Sequence, residues 1–285
     1  YGSPLSKFKD DTDGIGFYEV VRDIEEHFEE KKAELIQNLK QLSRQIFRVD
    51  NVMISYTSSE DGLAPMEAAF REIKDTLYPE LDGEEIPCVL HGRKRNEGFK
   101  TSSKVQYVAR VGNFIDHGAQ YHGALQILKV ILSYDYLWQN VRVKGGAYGC
   151  MSNFNRIGEG YLISYRDPNL KKTMEVYEGV VDYLKNFTVD ERDMTKYIIG
   201  TISNIDRPMN PAAKGDRSMN LYMNHVSQEM IRTERSQILH AAQEDIRALA
   251  AVVEAMLKAE QICVIGSEEK IEEEKEMFLE VKTLF

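Results

Sequence analysis

Apolar residues Val21, Ile24, Phe28, Leu35, Leu39, Leu42 and Ile46 keep to one helical stripe, which predicts one long helix in the first fifth of the chain. Ahead of it, Tyr1-Gly2-Ser3-Pro4 and the acidic Asp10-Asp11-Thr12-Asp13-Gly14 read as a linker. A helix standing before any strand reads as a connector from an upstream domain. The chain accordingly divides into residues 1–48, linker and connector, and residues 49–285, the main domain. A strand is expected at Val52–Tyr56 and a helix from Met66 to Leu77, ending before Pro79.

Cys88–Leu90 reads as a short strand and Val105–Ala109 as a better one. Tyr121, Leu125, Leu128, Leu132 and Tyr136 then recur at helical spacing and deliver the chain to Arg142. Strands around Ala147–Phe154 and Tyr161–Tyr165 flank Gly158-Glu159-Gly160 and predict a hairpin. Asp167-Pro168-Asn169 is expected to start a helix, with Asp167 as cap and proline in the first turn. Beyond it, helices are expected near 191–205, 212–226, 229–240 and 244–258, then a strand at Ile262–Ile265 and an acidic final helix. Two-residue and helical periods alternate, so the expected class is α+β: a single sheet with helices packed on one face.

With 285 residues the chain is long enough for one large or two modest domains, and a net charge of −10 argues against nucleic acid as a partner. Arg93-Lys94-Arg95 is a basic run, but Glu84, Glu85 and Glu97 flank it, as in a solvated loop. No apolar run reaches the roughly 18 residues of a membrane helix, so no membrane partner is expected. Cys88, Cys150 and Cys263 are widely spaced and odd in number, which fits free thiols better than a disulfide framework.

Candidate chemistry centres on Arg142-Val143-Lys144-Gly145-Gly146-Ala147-Tyr148-Gly149. A guanidinium carries several fixed donors suited to the carbonyls of an extended peptide. A phenol a few residues on can donate to an oxygen that becomes negative during carbonyl attack. Gly145-Gly146 permits backbone shapes closed to other residues, although Gly-Gly before a strand is also what an ordinary turn needs.

The run Leu137-Trp138-Gln139-Asn140-Val141-Arg142-Val143-Lys144-Gly145-Gly146-Ala147-Tyr148-Gly149 resembles the C-terminal half of the presequence-protease branch of the pitrilysin/insulinase clan of zinc metallopeptidases. Ser164-Tyr165-Arg166-Asp167-Pro168-Asn169-Leu170 and Asp206-Arg207-Pro208 … Pro211-Ala212-Ala213-Lys214-Gly215 resemble the same branch, in the same order. The resemblance implies four similar α+β domains in two halves that close like a clam shell around an unfolded peptide. It places zinc in the N-terminal half, on His-x-x-Glu-His and a later glutamate, where a metal-polarised water attacks the peptide carbonyl. That motif occurs nowhere in this sequence, so no cofactor is expected in this chain, and the isolated chain is expected to be inactive. Carried over by the resemblance, Arg142 would hold substrate backbone, Tyr148 would stabilise the oxyanion, and Gly145, Gly146 and Ala147 would join them in binding substrate. The implied partners are the N-terminal half of the same polypeptide and the substrate peptide. A bacterial-type cytoplasmic location is expected, with the mitochondrial matrix as the alternative. The other functional reading is a catalytically inactive structural or peptide-binding subunit of the same clan.

Other candidates are weaker. His117 and His122 lie five apart, on different helical faces. His225 and His240 have no acidic partner at ligand spacing, His27 lies among Glu25, Glu26, Glu29 and Glu30 on a solvated helix face, and His91 adjoins the basic loop. Gly112, Gly118 and Gly123 lack the spacing of a dinucleotide loop. Thr57-Ser58-Ser59 and Thr101-Ser102-Ser103 lack a basic partner for a serine nucleophile.

Overall fold

The computed structural model describes residues 2–79 and 95–284, so the expected strand at Cys88–Leu90 lies outside the described residues. The chain divides into two units: Tyr1–Lys7, Leu90–Arg207 and Gln228–Phe285 form one, and Phe8–Val89 with Pro208–Ser227 the other.

The first unit is built on a six-stranded sheet: β1 (Asn96–Thr101), β2 (Gln106–Asn113), β3 (Gly149–Phe154), β4 (Glu159–Asp167), β5 (Gln261–Ser267) and β6 (Glu280–Thr283). Their spatial order is β3-β4-β2-β5-β1-β6. The β3–β4, β4–β2 and β2–β5 pairs are antiparallel, whereas β1 runs parallel to both β5 and β6. The expected hairpin is β3–β4, closed by Gly158 at φ +90°. Alternation along β2 shows the two faces: Val108, Arg110 and Gly112 are buried, while Tyr107, Ala109 and Val111 are more open.

Helices cover the first of these faces. α5 (Ala124–Ile131) contributes Leu125, Ile127, Leu128 and Ile131, all essentially inaccessible. α6 (Lys171–Glu178) and α7 (Val180–Lys185) add Met174, Tyr177, Val180 and Leu184, and α11 (Gln243–Leu257) adds Ile246, Val253 and Met256. The buried Arg110 donates from Nη2 to the carbonyl of Leu257 at 2.8 Å, and Tyr177 donates to the carbonyl of Val108 at 3.2 Å. α8 (Glu191–Ile205) is capped by Asp190, and α10 (Gln228–Leu239) completes the layer. The short α12 (Glu268–Glu273) starts at Ser267, whose hydroxyl accepts from the Lys270 amide. The fold class is therefore α+β, a single sheet with helices on one face, as expected.

Several local expectations are corrected. The first residues are helical: α1 runs Pro4–Asp13, started by the Ser3 hydroxyl accepting from the Ser6 amide at 3.1 Å, with proline tolerated in the first turn. The expected long helix is broken at His27 (φ −118°, ψ 31°) into α2 (Ile15–Glu26) and α3 (Phe28–Ile46). Val52–Tyr56 form no strand; Val52 is extended, but the segment pairs with no described strand. α4 (Leu63–Lys74) follows, and α9 (Pro211–Met223) begins at an Asn210 cap. These belong to the second unit, in which α2, α3, α4 and α9 bury none of their residues fully. Asp167 does not cap a helix. It is buried at the end of β4, accepts from the Asn169 amide and the Thr173 hydroxyl, and leaves the helix to begin at Lys171. The acidic C-terminal stretch holds a helix of only six residues before the chain returns to the sheet as β6.

Candidate functional site

The segment expected to carry the chemistry lies at the exit of the helical run that begins with α5. From Leu132 to Tyr136, and again from Trp138 to Val143, the winding is π rather than α. Wide turns of this kind are rare and concentrate at functional sites. The Lys144 amide donates to the Gln139 carbonyl at 3.0 Å, five residues back. Next, Gly146 donates to Arg142 at 2.8 Å and Ala147 to Val141 at 3.1 Å. Each bond spans one residue more than in the common glycine-terminated helix end, as the wider winding demands.

Both glycines are required by this exit. Gly146 takes φ +83°, in the left-handed region, and a Cβ on Gly145 would fall 2.3 Å from the Val141 carbonyl oxygen. The turn is pinned from outside by Asn169, whose Nδ2 donates to the Gly145 carbonyl at 2.6 Å. Ala147, at 3% exposure, faces the core, so the chain turns the next residue outward.

Tyr148 is that residue, 63% exposed. Its amide donates to the Tyr165 carbonyl at 3.1 Å and to the Arg166 carbonyl at 3.3 Å. A bulge in β4 makes this possible: Gln106 pairs with Asp167 and Val108 with Ser164, leaving Tyr165 and Arg166 opposite Tyr107 alone. Arg166 takes φ +48° there. Bulges of this sort re-aim side chains beside binding sites. Here the result is an aromatic ladder, with Tyr107 and Tyr165 centroids 5.2 Å apart at 72° and Tyr165 and Tyr148 5.5 Å apart at 70°. Both are edge-to-face, the favoured aromatic geometry.

Arg142 lies between two of the rings. Its Cζ is 4.2 Å from the Trp138 ring centre and 5.7 Å from that of Tyr148. Cys150 adjoins the pair: burial pushes its thiol up to about 11, with the Arg142 charge pulling the other way and Asp167 adding to the rise. The structure thus brings Arg142 and Tyr148 together, with Gly145, Gly146 and Ala147 forming the turn between them. It adds Trp138, Tyr165 and Asn169, to which the sequence reading assigned no role. Their one advance signal was their place in two of the three motifs. Among the described residues, no group of three or more His, Cys, Asp or Glu could hold a metal ion, so the described residues do not fit a zinc site.

Residues 96–268 match the PreP C-terminal domain, and the chain belongs to that family. It is 40% identical over its whole length to protein HypA of Clostridium perfringens, of which it covers 29%. It is 29% identical, over 94% of its length, to presequence protease 1, chloroplastic/mitochondrial, of Arabidopsis thaliana, covering 25% of that protein. The chain therefore spans less than a third of these relatives. Among solved structures, the peptidase M16 inactive domain from Pseudomonas fluorescens aligns with a TM-score of 0.48 at 17% identity, over 71% of this chain and 50% of that one.

Proposed function

We propose that this chain is the substrate-gripping, non-metal portion of a zinc-dependent oligopeptidase. Arg142 holds the backbone carbonyls of an extended peptide, and Tyr148 donates a hydrogen bond to the oxygen that becomes negative when the scissile carbonyl is attacked. The observation that carries this reading is the exposed Tyr148 phenol held beside the Arg142 guanidinium on a braced turn. Gly145 and Gly146 shape that turn, and Ala147 anchors it in the core. A bound zinc, residing in the N-terminal half of the complete polypeptide, would supply the Lewis acid chemistry; the roles proposed for this chain's own residues are binding and oxyanion stabilisation. Residues 1–48 would connect the two portions. No described helix is long and apolar enough to cross a membrane; the location proposed is a bacterial-type cytoplasm, with the mitochondrial matrix as the alternative.

The test is made in the complete enzyme. Tyr148→Phe removes one preorganised donor and should lower kcat by about 10²–10³ with the melting temperature unchanged. Arg142→Ala should act chiefly on KM. Unchanged cleavage of an unfolded peptide by both variants would sink the assignment and favour an inactive, structural role.

A further inference from the structure

Away from Tyr148, α5, the π turn that follows it and the C-terminal end of α8 enclose a cleft of about 350 Å³, lined by Gln126, Lys129, Ser133, Tyr134, Asn204 and Arg207 among others. None of the described residues that line it is acidic, in a chain with 46 acidic and 36 basic residues. The two cations bond only to neutral oxygens among the described residues: Lys129 Nζ to Asn153 Oδ1 at 3.1 Å and Arg207 Nη2 to Asn204 Oδ1 at 3.0 Å. The acids next along the chain are committed elsewhere. Asp206 pairs with Arg235 at 2.5 Å, and Asp135 accepts from the Tyr197 hydroxyl. Two cations without an acidic partner among the described residues, with hydroxyl and amide groups around them, have the donor set that suits an oxyanion.

We propose that this cleft binds a carboxylate of the substrate peptide, its free C-terminus above all. The anion site follows from the cleft alone; the peptide as its source rests on the function proposed above. Asn153, the partner of Lys129, lies in β3, the edge strand whose first residue follows Tyr148. Five residues of strand separate Tyr148 from Asn153, or about 16 Å at ~3.3 Å per residue. An extended peptide running beside that edge from the scissile bond reaches the cations in about the same number of residues. The cleft would then act as a ruler, favouring cleavage about five residues from a free carboxyl end.

The experiment uses the complete protein under chelator, so that nothing is cleaved. Fluorescence anisotropy would follow one labelled unfolded heptapeptide with a free C-terminal carboxylate and the same peptide as its C-terminal amide. The acid should bind about three- to tenfold more tightly, as expected for a solvent-accessible charge-assisted contact, and the difference should shrink with added salt. Lys129→Gln with Arg207→Gln should abolish the difference, and Lys129→Arg should keep it. Equal affinity of acid and amide, or a preference that survives the double variant, overturns the proposal. Inorganic phosphate binding to the wild type while acid and amide bind alike would keep an anion site and overturn the peptide assignment. Since this readout needs no turnover, it stands apart from the Tyr148 and Arg142 tests: loss of those roles with a persistent acid preference would remove the catalytic reading and leave the cleft.

Discussion

The Arg142 guanidinium stacks 4.2 Å from the centre of the Trp138 ring, four residues earlier on the same wide-wound helix. The indole is itself partly exposed, at 36%, and serves as a platform for a cation that also lies 5.7 Å from the Tyr148 ring. A guanidinium on an aromatic face is attracted by the ring quadrupole and loses fewer orientations on binding a ligand.

Trp138→Ala should therefore weaken peptide binding without removing a group that touches the reacting carbonyl. With about 0.5–1 kcal/mol at stake for an accessible pair, KM in the complete enzyme should rise roughly two- to fivefold. Trp138→Phe should recover most of the loss. A KM unmoved by the alanine variant would show that the indole does not orient Arg142.

Tyr165 supports the phenol of Tyr148 as Trp138 supports Arg142. Tyr165→Ala should lower kcat by about tenfold, because edge-to-face pairs hold about 0.5–1.5 kcal/mol and small misplacements at a reacting centre are expensive. Tyr165→Phe keeps the ring and should behave nearly as wild type. Equal losses in both variants would point to the Tyr165 hydroxyl instead of its ring.

The two glycines should differ in thermal or denaturant unfolding. Gly146→Ala meets a left-handed backbone and should cost about 1–2 kcal/mol. Gly145→Ala drives a Cβ against a backbone carbonyl that cannot swing away, and should cost more, about 1–3 kcal/mol with local rearrangement. The reverse order would mean that the helix exit is looser than drawn.

Cys150 offers a reading of the Arg142 charge that needs no substrate. Its thiol titrates at about 11, raised mainly by burial, so alkylation by iodoacetamide should be slow at pH 8 and climb through pH 10. Arg142 lowers that value, so Arg142→Ala should raise it further and slow alkylation at a fixed pH of 9, measured with Cys88 and Cys263 replaced by serine. Because the folded value lies above the unfolded one, the contribution of Cys150 to stability is fully present below about pH 8.5 and fades as pH rises through 11. Faster alkylation in the arginine variant would contradict the placement of the charge.

Much of the sheet and its helical cover could be read from periodicity. The path through Leu125, Leu128 and Leu132 to Arg142, the β3–β4 hairpin and α11 each bury one regular face. β1 escaped because Asn-Glu-Gly-Phe-Lys-Thr carries no alternation; it is held by strands on both sides, a long-range fact. Val52–Tyr56 misled in the opposite sense, having strand composition without a described partner. Arg142 and Tyr148 stood out through their motif. Trp138 and Tyr165 did not, because their positions depend on π winding and on a β-bulge. Both are offsets of one residue, to which a periodic reading is blind.

The wide winding ties this geometry to the length of the stretch. A π turn holds one more residue than the α turn it replaces, so a single added residue between Trp138 and Val143 separates this geometry from a helix of ordinary pitch. Removing one residue there would undo that step and swing everything beyond it by about 100°, given 3.6 residues per turn. Arg142 would lose its indole and the phenol its outward aim, with no functional side chain changed. The number of residues in this stretch therefore matters alongside the identities of Trp138 and Arg142.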